Sequence, residues 1–157
     1  MTRLSIPSVI IIVAFVALVA VVGGHYSSMN RDWYEALNKP SWQPPSWAFG
    51  VVWTALFILF AISLILIWSA RPHTSLHYVI IAAAVLNGFL NVFWSYLFFG
   101  NKIIFLAIYD ALALCLSVIF LMAAAWPINR LAGLLLLPYA LWTAFATFLT
   151  AVIYRLN

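Results

Sequence analysis

The chain has 157 residues, of which 68% are hydrophobic and only 6% are charged. Because a soluble domain carries about 25% charged residues, this composition excludes an ordinary soluble protein and indicates an integral membrane protein. The net charge of +4 comes from seven lysines and arginines that are scattered along the chain, so the sequence offers no basic patch for nucleic acid.

Five apolar runs follow one another along the chain, each with about the 20 residues that a helix needs to cross a bilayer. Helices satisfy their backbone polar groups internally, which lipid demands. We therefore predict an all-α membrane protein, a single domain over residues 1–157 with five transmembrane helices and one long structured loop, the lid, between the first two. The predicted helices are at about 4–24, 47–69, 77–99, 103–126 and 130–154, and the lid is at 25–46.

The first run has one feature of a secretory signal, because Arg3 precedes it. Its apolar stretch is longer than an ordinary signal core, so we expect a permanent span. Direct insertion into a bacterial plasma membrane is the simplest location for such a chain. Short connections further along the sequence predict that the second to fifth helices are antiparallel neighbours.

The lid and its border are rich in proline and tryptophan. Proline fixes φ and removes a backbone donor, so this segment is stiff and cannot continue as one helix. Tryptophan also suits the membrane–water interface, where an aromatic belt is the simpler interpretation. Taken together, the residues predict an ordered cover over one mouth of the bundle. They are Trp33, Pro40, Trp42, Pro44, Pro45 and Trp47.

The third run carries a small-xxx-small pair, Ala84 and Gly88. This spacing lets two helix backbones approach closely. It favours a homodimer through this helix, with packing inside one protomer as an equal alternative.

Aromatic and amide side chains share one face on each of three runs. Such faces favour a pocket for a large, planar, mostly apolar ligand, although aromatic stripes at helical spacing more often serve only packing. Small Ala146 between two large residues suggests space left open. The faces are Trp53 and Phe57 on the second run; Asn87, Asn91 and Trp94 on the third; and Tyr139, Trp142, Ala146 and Leu149 on the fifth.

Asp110 is the only acidic residue inside a run. A carboxyl group at that depth is costly and usually faces the bundle interior. It is interpreted either as a polar anchor or proton site in a cavity, or as a structural carboxyl that is neutral or hydrogen-bonded to Trp, Tyr or Asn on a neighbouring helix.

Motifs of conventional catalysis are absent from the sequence. It contains no HExxH, Walker loop or GxGxxG, and its histidines lie in or next to connections. Cys115 is the single cysteine, which excludes an internal disulfide. We expect no metal site and no obligatory cofactor.

The motifs resemble those of the tryptophan-rich sensory protein/translocator protein family (TspO/MBR, peripheral benzodiazepine receptor) over nearly the whole chain. They are Trp33-Tyr34-x-x-Leu37-x-Lys39-Pro40-x-Trp42-x-Pro44-Pro45, Trp53, Asn91-x-x-Trp94-x-x-x-Phe98-Phe99, Pro138-Tyr139-x-x-Trp142 and Ala146-Thr147-x-Leu149.

This resemblance implies a five-helix membrane protein, often dimeric, that binds porphyrins such as protoporphyrin IX, in some cases heme, and also sterols and isoquinoline or benzodiazepine drugs. The implied function is a receptor or sensor in tetrapyrrole homeostasis or stress, with porphyrin or sterol transport as an alternative. The implied pocket residues are Tyr34, Trp42, Phe49, Trp53, Asn87, Asn91, Trp94, Asp110, Tyr139, Trp142, Ala146 and Leu149.

Some family members promote light- and oxygen-dependent breakdown of protoporphyrin IX. The resemblance places Trp53 and Trp142 at the tryptophan positions implicated in that reaction, so photo-oxidative degradation is a second alternative. The chain departs from many relatives at Thr150, where they have Asn, and at Phe57, where some have Tyr. Tyr154 is followed directly by Arg155, which breaks the strict sterol-recognition pattern.

Overall fold

The computed structural model describes residues 5–70 and 72–157, and these residues form helices joined by short connections. The helices are α1 (Ile6–Ser28), α2 (Arg31–Ala36), α3 (Ser46–Ser69), α4 (Ser75–Ser95) with a π-helical extension (Tyr96–Gly100), α5 (Ile104–Ala125), α6 (Arg130–Leu135) and α7 (Leu137–Leu156).

Within the described residues, five helical segments are long and apolar enough to cross a membrane. They are α1, α3, α4 with its extension, α5, and α6 with α7. The predicted fold class, an all-α bundle of five spans, is confirmed. The chain is an integral membrane protein.

The first helix ends later than predicted, at Ser28 rather than at residue 24. Its predicted start at residue 4 lies outside the described residues. The pair Gly23-Gly24 does not stop the helix, because the helix continues and the Ser27 hydroxyl donates to the Gly23 carbonyl oxygen one turn back, at 2.9 Å. The lid is therefore shorter than predicted, residues 29–45, and it contains the short helix α2.

The order of the spans around the bundle differs from the prediction of sequential neighbours. Helix α1 packs against both α3 and α4, α4 against α5, α5 against α7, and α6 against α3. Helices α3 and α4 follow each other in sequence but make little contact. The short link between them therefore did not enforce adjacency.

The fifth span is divided rather than continuous over 130–154. Helix α6 ends at Leu135, Leu136 forms the joint, and Pro138 lies in the first turn of α7. A proline has no backbone N–H to donate and favours the start of a helix. The break lets α6 lean on α3, where the Ser63 hydroxyl donates to the Ala132 carbonyl oxygen at 2.9 Å.

The small pair of the third span is covered within the protomer. Ala84 is 2% exposed, and a Cβ added at Gly88 would lie 2.7 Å from Phe15 Cζ and 2.8 Å from Val19 Cγ2 on α1. These positions serve close packing of α4 on α1, which is the alternative that the sequence left open. A homodimer stays a prediction.

A candidate ligand cavity beneath the lid

A cavity of about 680 Å³ separates α3 from α4 and α7. This space explains why α3 makes little contact with either helix. Helices α1 and α5 complete the wall, and α2 lies over one end. The volume falls within the roughly 300–1,000 Å³ of typical small-molecule sites.

Eight of the twelve predicted pocket residues line this cavity. The aromatic faces predicted on the second, third and fifth spans thus border one space. The eight residues are Tyr34, Phe49, Trp53, Asn91, Trp94, Trp142, Ala146 and Leu149.

Aromatic rings hold one another in place along the wall. The Phe49 and Trp142 rings meet edge to face with centroids 5.6 Å apart, and Trp53 lies 5.9 Å from the buried Tyr139 ring in the same geometry. Trp94 stacks on Phe98 at 5.2 Å. Edge-to-face and offset contacts at these distances are the favoured aromatic geometries. The wall is therefore a fixed apolar surface suited to flat ring systems.

A polar strip crosses the otherwise apolar wall between α1 and α4. The Ser27 hydroxyl lies 3.4 Å from the Ser95 hydroxyl. Gly23 faces the same strip, since a Cβ there would lie 3.6 Å from Asn91 Oδ1. In an apolar cavity, a small number of convergent polar groups orients a bound ligand.

The hydroxyls contributed by α7 are already engaged. Thr143 Oγ1 donates to the Tyr139 carbonyl oxygen at 2.9 Å, and Thr150 Oγ1 donates to the Ala146 carbonyl oxygen at 2.7 Å. Both threonines line the cavity, but each hydroxyl already donates its proton to a carbonyl oxygen of the helix backbone. Thr150, where many relatives have Asn, thus presents a smaller polar surface than an amide would.

Two predicted pocket residues, Asn87 and Tyr139, lie behind the wall. The Tyr139 hydroxyl donates to Asn87 Oδ1 at 3.0 Å and accepts from Asn91 Nδ2 at 3.3 Å. Asn87 Nδ2 donates to the Ser117 hydroxyl at 2.8 Å. This network joins α4, α5 and α7 and fixes the cavity residue Asn91 from behind. Asn87 and Tyr139 therefore support the lining and do not form part of it.

Trp42 and Asp110 also lie outside the cavity lining. Trp42 is 47% exposed and stacks on Phe148 with centroids 5.6 Å apart, on the outer side of α7. Asp110 is 7% exposed, and its Oδ2 atom has no hydrogen-bond partner among the described residues. These contacts show neither the cavity anchor nor the hydrogen-bonded carboxyl predicted for Asp110, and the neutral structural carboxyl stays a prediction.

The mouth of the cavity lies between the end of α1, α2 and the start of α3, where the exposed lining residues cluster. Tyr34 closes one side of it, and its hydroxyl accepts a hydrogen bond from Gln43 Nε2 at 3.2 Å. Burial raises the pKa of the Tyr34 hydroxyl, and the Gln43 hydrogen bond partly opposes that rise. The phenol therefore stays protonated at neutral pH. The exposed lining residues are Gly24, Ser27, Ser28, Arg31, Glu35, Ser46, Gly50 and Thr54.

Residues 10–155 match the sequence model of the TspO/MBR family. The chain belongs to the TspO/MBR family. It is 36% identical over 132 residues to the tryptophan-rich protein TspO of Bacillus cereus, which covers 82% of this chain and 83% of that protein.

More distant relatives agree with this assignment. The tryptophan-rich sensory protein of Cereibacter sphaeroides is 34% identical over 126 residues, 80% of this chain and 77% of its own. The translocator protein of Sus scrofa is 35% identical over 148 residues, 89% of this chain and 86% of its own. The resemblance seen in the tryptophan and proline motifs is confirmed.

Sequence reasoning missed the part of this TspO/MBR cavity that α1 and α5 supply. The α1 contribution is a row of small residues at helical spacing, which carries no chemical signal of its own. Ala111 and Leu114 on α5 read as ordinary apolar residues. A usable signal was the pair Gly23-Gly24 with Ser27-Ser28, since small residues on one face of a span mark close approach or open space. The α1 residues are Ala20, Gly23, Gly24, Ser27 and Ser28.

Proposed function

We propose that this protein is a membrane receptor or sensor that binds a porphyrin, protoporphyrin IX in the first place, in the cavity beneath the lid. The observation that carries the proposal is the cavity of about 680 Å³ with rigid aromatic walls. We place the protein in a bacterial plasma membrane and its role in tetrapyrrole homeostasis or the response to stress. Membership in a family whose members are described as sensory and translocator proteins supports this role.

The binding energy is expected to come from ring contacts. Trp53 on α3 and Trp142 on α7 present large apolar surfaces from different sides of the cavity, and stacking on such rings contributes beyond simple burial. Asn91, held by Tyr139, orients the polar edge of the ligand. Tyr34 offers a protonated hydroxyl at the mouth.

The lining favours the metal-free ring over heme. The described residues that line the cavity include no His, Cys or Met, the side chains that most often hold heme iron. Among the described lining residues, Tyr34 is the one with a side chain of a type known to bind heme iron. Isoquinoline or benzodiazepine drugs and sterols remain proposed ligands of the same apolar space.

The proposal is tested by titrating the purified protein in detergent with protoporphyrin IX in the dark while tryptophan fluorescence is recorded. Saturable quenching is expected, and Trp142→Ala should weaken binding by about 1 to 3 kcal/mol, as truncation of a central aromatic contact does. Trp47→Ala is the matched control, because Trp47 is 72% exposed and lies outside the cavity. An affinity that is unchanged in Trp142→Ala contradicts the assignment.

Photo-oxidative degradation is a second candidate function, and the presence of both Trp53 and Trp142 in the cavity lining favours it. An indole next to a photoexcited ring is an oxidisable electron donor. Under illumination in air, Trp53→Phe and Trp142→Phe should each slow the loss of porphyrin absorbance while Trp47→Phe does not. Bleaching at the rate of free porphyrin in all variants would leave only ordinary photochemistry. Transport of the ligand across the bilayer stays a prediction.

A further inference from the structure

One face of the short helix α2 borders the mouth of the cavity. Arg31, Tyr34 and Glu35 line it, at the i, i+3 and i+4 spacing that brings side chains to a single helix face. Among the described lining residues, Arg31 is the one Lys or Arg. A single guanidinium thus lies at the opening of the space, and the Glu35 carboxylate is the other charged group among the described lining residues.

The neighbouring cations of this region are already engaged by the protein. Lys39 Nζ donates to the Glu35 and Leu37 carbonyl oxygens at 2.8 and 2.9 Å, and Lys102 Nζ lies 5.8 Å from the Trp33 ring centre. Arg31 makes no side-chain hydrogen bond or ion pair with any residue in the described ranges, and it is exposed. Its N–H donors are left to water or to a ligand.

We propose that Arg31 binds a carboxylate on the rim of the ligand, so that the cavity selects flat apolar molecules with an acidic edge over their neutral analogues. This inference rests on the proposed porphyrin-binding function and adds a specificity-determining residue to it. A guanidinium pairs with a carboxylate through two parallel hydrogen bonds. The apolar ring system lies inside, and the acidic edge stays at the mouth, where burying its charge is avoided.

Glu35 limits the preference for acidic ligands. Its carboxylate lies one helical turn from Arg31 on the same face of the mouth, so it repels a second acidic group on the ligand. Arg31 and Glu35 therefore have opposite effects on an acidic ligand and little effect on a neutral one. If Arg31 and Glu35 were only solvated surface charges that do not contact the ligand, replacing either of them would change neither the affinity for the acid nor that for the neutral ligand.

The test compares protoporphyrin IX with its dimethyl ester, titrated in the dark into wild type, Arg31→Gln, Arg31→Lys and Glu35→Gln. The measured quantity is the ratio of the two dissociation constants, so differences in how acid and ester partition into detergent cancel between variants. Arg31→Gln should weaken binding of the acid by about three- to fivefold and leave the ester unchanged, the size expected of an exposed charge pair. Arg31→Lys should retain part of the preference, and Glu35→Gln should strengthen acid binding.

Arg155→Gln is the matched control, because Arg155 is exposed on the last turn of α7 and does not line the cavity. Equal loss of acid and ester in Arg31→Gln would indicate a structural role and overturn the inference. Unchanged affinity for both compounds would overturn it as well, and in both cases saturable binding by wild type leaves the proposed function standing. If wild type binds neither compound, the proposed function fails and the inference fails with it.

Discussion

Asn38 in the lid and Asn157 after α7 exchange hydrogen bonds. The Asn38 backbone N–H donates to Asn157 Oδ1 at 2.9 Å, and Asn157 Nδ2 donates to the Asn38 carbonyl oxygen at 3.0 Å. Asn38 Nδ2 also donates to the Leu156 carbonyl oxygen at 3.2 Å. The lid is thereby tied to the helix that carries Trp142 and Ala146.

This tie predicts that Asn157→Ala loosens the lid without unfolding the bundle. Removing the amide frees the Asn38 N–H, so its hydrogen exchange should accelerate, because local opening governs exchange at such sites. Porphyrin dissociation should become faster as well. Hydrogen exchange followed by mass spectrometry of the peptide around residue 38 measures the first effect.

Asn101→Ala is the control for this variant, since Asn101 is exposed and no side-chain hydrogen bond of its amide is seen in the described chain. Exchange at residue 38 that is equal in wild type and Asn157→Ala would contradict a role for the tie.

Gly88 is predicted to be intolerant of even one added methyl group. In Gly88→Ala the new Cβ would overlap Phe15 and Val19 at 2.7 and 2.8 Å, and overpacking of this kind costs about 1 to 3 kcal/mol. The melting temperature in detergent should therefore fall. Gly24→Ala is the matched change, because nothing lies within 4 Å of its Cβ position, and it should be neutral or slightly stabilising.

The same variants separate the two interpretations of the small pair on α4. If Gly88 serves only α1–α4 packing, Gly88→Ala changes stability but not the oligomeric state measured by light scattering. Dissociation of a dimer at unchanged stability would instead assign Gly88 to the homodimer interface.

The Tyr139 hydroxyl is predicted to support the cavity rather than to touch the ligand. Tyr139→Phe leaves Asn87 Oδ1 and Asn91 Nδ2 without this partner, so thermal stability should fall by about 1 kcal/mol. Affinity should fall less than in Trp142→Ala, because only the orientation of Asn91 is affected. Tyr154→Phe is the control, as Tyr154 is 46% exposed. A large loss of affinity at unchanged stability would place the hydroxyl in contact with the ligand.

The aromatic side of the cavity was predictable from the sequence because helical periodicity fixes which residues share a face. Trp142 and Ala146 are one turn apart, so both reach the same space. Periodicity does not show, however, whether a side chain on that face reaches the cavity or packs behind its wall. Tyr139 is on the same face as Trp142, but its hydroxyl donates to Asn87 behind the wall.

The remaining differences depend on tertiary arrangement. Nothing local in the sequence says that α1 lies between α3 and α4, so its small residues signal close approach or open space without showing which helices they face. Trp42 matches a family motif, yet its place in the lid brings it onto Phe148 outside the bundle. A motif fixes the family, whereas contacts decide which of its residues face the ligand.

The most direct test of the central claim is to fill the cavity from within. Ala146 lines it, whereas Ala144, two residues earlier on α7, is exposed on the outside of the bundle. Protoporphyrin IX is titrated in the dark into folded Ala146→Phe and Ala144→Phe proteins of matched melting temperature. We predict that Ala146→Phe loses saturable binding while Ala144→Phe binds as wild type does. Equal binding by both variants would contradict the claim that the porphyrin occupies this cavity.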